Sequence, residues 1–408
     1  MNTVDVVIIG GGASGYFCAC ELLLNNPNLK VEIWEKSNKT LGKVRVSGGG
    51  RCNVTHDIRE SRTLLKKYPR GGKYLKEKLN QFGVDDTEKW FLSQGIPLKT
   101  EGDNRMFPIT NSSETIAACF ENTFKKLGGT LRIKTSIETA EYDQNQWKLQ
   151  TTDEEWVHAR FLVLAIGGLN ENKSQWLQKI KPIAITPLVP SIFTLNIDDP
   201  VLHSLAGVAV AKGRVKYEGI KSDYEGPVLI THWGLSGPAV LTSSAWHAVD
   251  LFERNYEINV QVGWIVDKNE DAVRAQLQEH LELHKNKNIR NAVAFGLPKR
   301  LWDWILDRSE ISPEKECIAL RKEERNRLIE NLIRSKFEVS GRTTYKEEFV
   351  TAGGIKLDEL DSDGAFKGNP QLFAIGEMLD LDGVTGGFNF QAAWSTAFVC
   401  AKKITSMG

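Results

Sequence analysis

The sequence predicts an α/β protein in which a parallel sheet flanked by helices is interrupted by a β-rich domain that itself carries a helical insert. Three observations predict it. The chain opens on an apolar strand, a glycine turn and a helix. Apolar strands return near residues 161 and 372, each running into glycines. Between them, from 187 to about 352, prolines, alternating strands and charged helical stretches replace that pattern.

Residues 4–9 are apolar except for Asp5, as in a strand buried on both faces of a parallel sheet. Gly10, Gly12 and Gly15 follow as G-x-G-x-x-G, with Ala13 and Ser14 opening a helix. The first glycine permits a tight turn, the second admits a pyrophosphate to the backbone, and the third lets helix and strand pack closely. The helix start then presents free N–H groups and a positive dipole end to that pyrophosphate. A second strand, 30–34, ends at Glu35 and Lys36, with Glu35 twenty residues past Gly15. A carboxylate there accepts hydrogen bonds from an adenosine ribose and repels a 2′-phosphate, so FAD or NAD fits better than NADP.

Residues 41–53 contain Lys43, Arg45, Ser47, Gly48, Gly49, Gly50, Arg51, Cys52 and Asn53, and read as a flexible cationic loop facing a pyrophosphate. Within it, Ser-Gly-Gly-Gly-Arg-Cys-Asn-Val-Thr at 47–55 resembles the signature of a bacterial FAD-binding flavoprotein family. That family includes aminoacetone-oxidase-like proteins and a flavin reductase of bile-acid dehydroxylation, within the glutathione-reductase-like Rossmann group. The resemblance extends over essentially the whole chain. It implies a Rossmann-type FAD-binding domain of three β/β/α layers, with Arg51, Cys52 and Asn53 closest to the flavin.

From Arg59 to Lys78 the chain is strongly basic, which reads as a solvated helical face, with RNA or a phosphate-bearing substrate as the alternative. Helices are expected at 84–95 and 114–127, the second after a capping-type Asn-Ser-Ser. Residues 131–137, 147–151 and 155–158 alternate as a small meander. A buried strand from 161 then reaches Ala165, Gly167 and Gly168. The family resemblance implies that it returns beside the adenine, with the backbone at Ser136 and Ile137 meeting the adenine edge. Related proteins carry a glycine-rich loop next, whereas residues 169–173 here read Leu-Asn-Glu-Asn-Lys.

Pro182, Pro187 and Pro190 mark a boundary, and strands follow at 192–197, 208–217 and 256–262. The stretch 231–241 matches a family motif with a sharp strand-to-helix turn, where His232 and Trp233 face substrate or pack internally. Helical patterns at 270–284, 291–306 and 322–337 form the insert. Residues 351–355 lead back, although 360–366 departs from the pattern of relatives. The strand 372–375 ends at Gly376 and Glu377, placed to hold the ribitol of FAD. Asp380 precedes Gly386, Gly387, Phe388 and Asn389, where the last helix opens toward the flavin N1/C2=O edge and favours the anionic reduced form. The resulting domains are an FAD-binding domain of 1–186 and 353–408, a β-rich domain of 187–265 and 338–352, and a helical insert of 266–337.

Lys plus Arg and Asp plus Glu both number 52 in 408 residues, so charge gives no reason to expect nucleic acid or a membrane. The six cysteines are irregularly spaced, with no C-x-x-C and no Cys/His metal pattern. With no leader before the first strand and no long apolar run, a cytoplasmic protein is expected, a monomer or weak oligomer without metal. Two acids at two strand ends suit FAD better than NAD, because FAD has both a ribose and a ribitol to anchor. No second G-x-G-x-x-G marks a pyridine-nucleotide domain. The expected function is an FAD-dependent oxidoreductase exchanging a hydride between flavin N5 and a small molecule, with NAD(P)H as reductant or O2 as acceptor. His232, Arg51 and Cys52 are the catalytic candidates. An FAD-dependent RNA-modifying enzyme and a flavin-binding redox sensor are the alternatives.

Overall fold

The structure, a computed structural model, describes residues 2–343 and 350–407. It comprises two compact units: Met1–Pro190 with Tyr345–Gly408, and Ser191–Thr344. The expected return of the β-rich domain at 338–352 falls partly on residues 344–349, outside the described ones.

The first unit is built on a sheet whose strands run, edge to edge, Ala365–Phe366, Asn369–Ala374, Trp156–Leu164, Asn2–Ile9, Val31–Glu35 and Thr130–Ile133. The last five are parallel, with Val6 opposite Val31 and Ile9 opposite both Trp34 and Leu164. Val6, Val7 and Ile8 are wholly buried, which explains the uninterrupted apolar run of the central strand. The long strand Trp156–Leu164 changes partner along one edge. Its first half pairs antiparallel with Gln146–Thr151 and its second half parallel with Asn369–Ala374.

Two expectations for this region need correction. Residues 130–133 are not part of the meander but form the parallel edge strand. Its exposed Leu131 and Ile133 alternate with polar neighbours as a meander strand would. Lys134, at φ +54°, then turns the chain, and the hairpin uses Ile137–Asp143 instead. The strand expected at 161–168 and that at 155–158 are one element.

Over the sheet, helix Ala13–Asn25 packs against the C-terminal helix Phe388–Met407. The small buried faces of Ala19, Cys18, Ala397 and Cys400 allow that approach. Phe17, Trp90, Phe91, Phe120 and Trp394 form one aromatic cluster, with Phe17 4.8 Å from Trp90 and Phe120 5.4 Å from Trp394 between ring centroids. The Trp394 indole donates to the Val54 carbonyl at 3.0 Å, tying the C-terminal helix to the 47–56 segment.

The second unit is a closed six-stranded barrel in the order Thr194–Ile197, Gly234–Ser236, Tyr224–Thr231, Ala209–Tyr217, Glu257–Gly263 and Ser335–Thr343. Helices Glu270–Leu283, Lys299–Arg308 and Lys322–Ile333 are inserted between its last two strands. Two of them are shorter than expected. The left-handed backbone of Phe295 and Gly296 stops any helix from 291, so the helix begins after Pro298. From Ser335 the burial pattern alternates strictly, making 335–337 barrel strand rather than the end of the insert.

Truncating the centre of the aromatic cluster, Phe120→Ala, leaves a cavity under the first helix. A loss of about 3–5 kcal/mol is expected by chemical denaturation, and a loss below about 1 kcal/mol would contradict the packing described.

Candidate cofactor site

At the carboxyl end of the central strand the backbone closes in on itself. A Cβ on Gly10 (φ +114°) would stand 2.4 Å from the Ala165 carbonyl oxygen, and one on Gly15 would stand 2.1 Å from that of Gly10. No side chain fits at either position. At Gly12, which caps the first helix without a side-chain partner, nothing lies within 4 Å of where a Cβ would point. That end of the helix is open to a ligand, beside Ala13 and the buried Ser14. A Cβ on Gly376 would meet the Ser14 hydroxyl at 2.5 Å, so the second strand-end turn packs directly on the first.

Glu35, expected at an adenosine ribose, ends the second strand beside this turn. Its two carboxylate oxygens accept from the backbone N–H groups of Gly11 (2.9 Å) and Ser37 (2.8 Å). Each oxygen retains a lone pair for a ribose hydroxyl. Lys36 is exposed beside it. Glu377 holds both of its oxygens 2.7 Å from the Lys43 ammonium, and Gly168 packs against the same carboxylate. Gly167 supplies the left-handed turn between them.

The 41–53 segment is not the expected flexible loop. Residues 42–46 form a helical turn, Ser47 is extended, and Gly48, Gly49 and Gly50 are left-handed, at φ +58°, +68° and +80°. Three expected roles change accordingly. Arg45 turns away from the glycine turns, gripped by Glu114 (2.9 Å) and Glu121 (3.1 Å) of the helix Ser113–Lys126. Arg51 pairs with Glu101 at 2.7 Å and lies 4.1 Å over the Phe107 ring. Cys52 is fully buried at φ +57°, and burial pushes its thiol up to about 12. A neutral buried thiol has no nucleophilic character. The Ile137 carbonyl, expected at the adenine edge, is taken by the Trp176 indole at 3.0 Å.

A second focus lies where the last helix starts. Gly386 (φ +127°) and Gly387 (φ +93°) press on the 53–56 segment. A Cβ on Gly387 would fall 2.7 Å from the Thr55 carbonyl and 2.8 Å from Asn53 Oδ1. Phe388 is buried behind them. Asn389 spends both ends of its amide on Gly383, at 2.8 Å each, so it pins the 383–389 turn rather than reaching outward. The Arg70–Asp382 pair braces the same turn, with Asp382 wholly buried. Asp380 accepts from Thr186 on one oxygen. Its other oxygen and Asn53 Oδ1 are buried without a hydrogen-bond partner among the described residues.

These orphaned acceptors, together with the open Gly12 cradle and the spare lone pairs of Glu35, fit a dinucleotide rich in donors. FAD meets the fit, because N3–H, ribitol and ribose hydroxyls are all donors. His232 and Trp233 belong to the second unit, on the exposed turn between Tyr224–Thr231 and Gly234–Ser236. Two residues escaped the sequence reading. Lys173 sets its ammonium on the carbonyls of Ile166 (2.6 Å) and Gly168 (2.8 Å), and burial lowers its pKa. It stands where relatives were expected to have glycines. His56, directly after the 47–55 motif, touches the Gly386 turn.

The family model described as HI0933-like protein Rossmann domain matches residues 4–403. The chain belongs to that family. Among curated proteins similar to it are the ribosomal RNA dihydrouridine synthase of Escherichia coli K12 and the 3-dehydro-bile acid delta(4,6)-reductase of Clostridium scindens. The first is 28% identical, over 99% of this chain and 98% of the relative; the second is 23% identical, over 98% of each. The fold is similar to that of the 3-ketosteroid delta1-dehydrogenase of Sterolibacterium denitrificans (TM-score 0.54, 12% identity, all of both chains). It is also similar to a flavocytochrome c3 fumarate reductase (TM-score 0.51, 14% identity, 99% of this chain and 78% of the other). This HI0933-like protein is an FAD-dependent oxidoreductase.

Glu35 is the residue expected to hold the adenosine ribose. Each charge-assisted bond to a ribose hydroxyl contributes about 1.5–3 kcal/mol, so Glu35→Ala should weaken FAD binding tenfold or more when apoprotein is titrated with FAD. Unchanged affinity would remove Glu35 from the site.

Proposed function

We propose that this HI0933-like protein is a flavin-dependent reductase of carbon–carbon double bonds conjugated to a carbonyl. One observation supports the reading above others. Two relatives that align over nearly their full lengths, with unlike substrates, are named for the same bond change. Dihydrouridine differs from uridine by two hydrogens across C5=C6, which is conjugated to a carbonyl. A 3-dehydro-Δ4,6 bile acid presents a dienone. In both, conjugation makes the alkene carbon farther from the carbonyl electrophilic, so a hydride adds there and a proton follows at the carbon nearer the carbonyl.

The chain's own residues support such chemistry through binding and positioning. Glu35, Glu377 and the glycine turns would orient FAD, which when bound supplies the hydride-carrying ring. Lys43, Lys173 and the open helix end would offset the pyrophosphate charge. The six cysteines are free and buried, which argues against disulfide exchange. Reduced nicotinamide is the proposed hydride donor, and a small conjugated carbonyl compound the proposed acceptor.

RNA is the second reading, favoured by the Escherichia coli relative. The basic stretch gives it limited support. Arg59 is paired with Asp57, Asp85 and Glu88, Arg70 with Asp382, and Lys78 is buried against Tyr74 and the Ser362 carbonyl. Burial brings the Lys78 pKa down to about 8. Arg62, Lys66, Lys73 and Lys76 are exposed.

Enzyme reduced anaerobically with NADPH or NADH should be reoxidised by cyclic enones at least tenfold faster than by unconjugated alkenes, followed by flavin absorbance. Equal rates for both would refute the conjugated-bond reading. Reoxidation by unmodified ribosomal RNA, with dihydrouridine formed, and not by enones would move the substrate to RNA.

A further inference from the structure

The short strand Thr55–His56 pairs with Arg105–Pro108 and carries the His56 ring onto the turn that opens the last helix. Nδ1 lies 3.0 Å from the Gly386 carbonyl oxygen, and the ring stacks on Phe388 with 4.7 Å between centroids and 27° between planes. A carbonyl oxygen only accepts, so Nδ1 carries its hydrogen whether the ring is neutral or charged. Titration is therefore confined to Nε2, for which the described residues offer no hydrogen-bond partner. The His56 side chain is half-buried rather than sealed in the core. The ring touches the Gly386 carbonyl and Phe388, Arg105 is its cross-strand partner, and the charges of Lys67, Asp103 and Arg105 act on it. Burial and the two cations keep the ring below its usual pKa, while the carbonyl and Asp103 partly oppose them. In these surroundings the imidazole is neutral at pH 7, and an added negative charge nearby is what would protonate it.

We propose that His56 is the redox-linked proton carrier of this site: Nε2 takes up one proton when bound FAD accepts a hydride, and releases it when the hydride leaves. This rests on the reading that the flavin N1/C2=O edge lies against Gly386 and Gly387, where the helix end favours an anion. A reduced nicotinamide delivers a hydride, two electrons and one proton, and leaves one negative charge on the cofactor; solvent supplies the proton that turns His56 into an imidazolium. When the hydride passes to the β-carbon of a conjugated carbonyl compound, the imidazolium proton goes to the resulting carbanion or to solvent. The substrate thereby gains hydride plus proton, and His56 returns to neutral.

The test is the midpoint potential of bound FAD as a function of pH, across about pH 5–8, in wild type and His56→Asn. Asparagine can still donate to the Gly386 carbonyl but cannot titrate. For a two-electron couple each proton taken up contributes about 30 mV per pH unit. Wild type should show the two-proton slope, about twice that figure, between the His56 pKa of the oxidised state and its higher value in the reduced state. His56→Asn should show the one-proton slope throughout, with FAD affinity within about threefold. Identical slopes in the two proteins overturn the proposal, because His56 then takes up no proton on reduction. If His56→Asn fails to fold, NMR titration of wild-type His56 decides the matter. A pKa raised by reduction supports the proposal and an unchanged pKa overturns it. Failure of the cofactor reading would be distinct, since the wild type would then bind no FAD.

Discussion

A backbone that approaches itself more closely than any side chain permits sets the geometry of this site. Gly10 must pass the Ala165 carbonyl, and Gly15 must pass the carbonyl of Gly10. Together they seat the first helix over the end of the central strand with its N–H groups uncapped. Everything that would touch the adenosine and pyrophosphate is placed by that approach. Glu35 holds the Gly11 N–H, Leu41 N donates to the Gly11 carbonyl, and Gly376 packs on Ser14. Adding a methyl group at Gly15 would separate helix from strand and move the open N–H groups with it.

A second approach of the same kind, Gly387 against Thr55 and Asn53, sets the other end. Here, among the described residues, two acceptors are left without donors, namely Asn53 Oδ1 and one oxygen of Asp380. Buried acceptors of that kind are costly unless something donates to them, and a flavin with its ribitol brings donors. The neighbouring Arg70–Asp382 pair and the Asn389 amide rigidify the turn. The arrangement resembles a mould, stiff at the back and unsatisfied at the front.

Much of this was legible in the sequence because it rests on local chemistry. The glycine spacing, the acid ending the second strand and the returning strand before Glu377 all depend on short stretches whose physics is the same in any chain. What was not legible depended on partners far along the chain. Arg45 looks like a phosphate ligand until Glu114 and Glu121 are seen to hold it, some 70 residues away. Cys52, next to Arg51 in the glycine-rich motif, looks reactive until its burial is known. Residues 130–133 alternate like a hairpin strand because an exposed sheet edge has the same pattern. Lys173 and His56 were missed for the converse reason. Each is a single polar residue at a motif's end, and only its carbonyl partner across a turn gives it a role.

If the strand-end acids and the glycine turns grip both halves of FAD, apoprotein titrated with FAD and with FMN, which lacks the adenosine half, must distinguish the two. Two charge-assisted bonds at Glu35, at about 1.5–3 kcal/mol each, predict FAD binding at least about a hundredfold tighter than FMN. Equal affinity for the two flavins would contradict that grip.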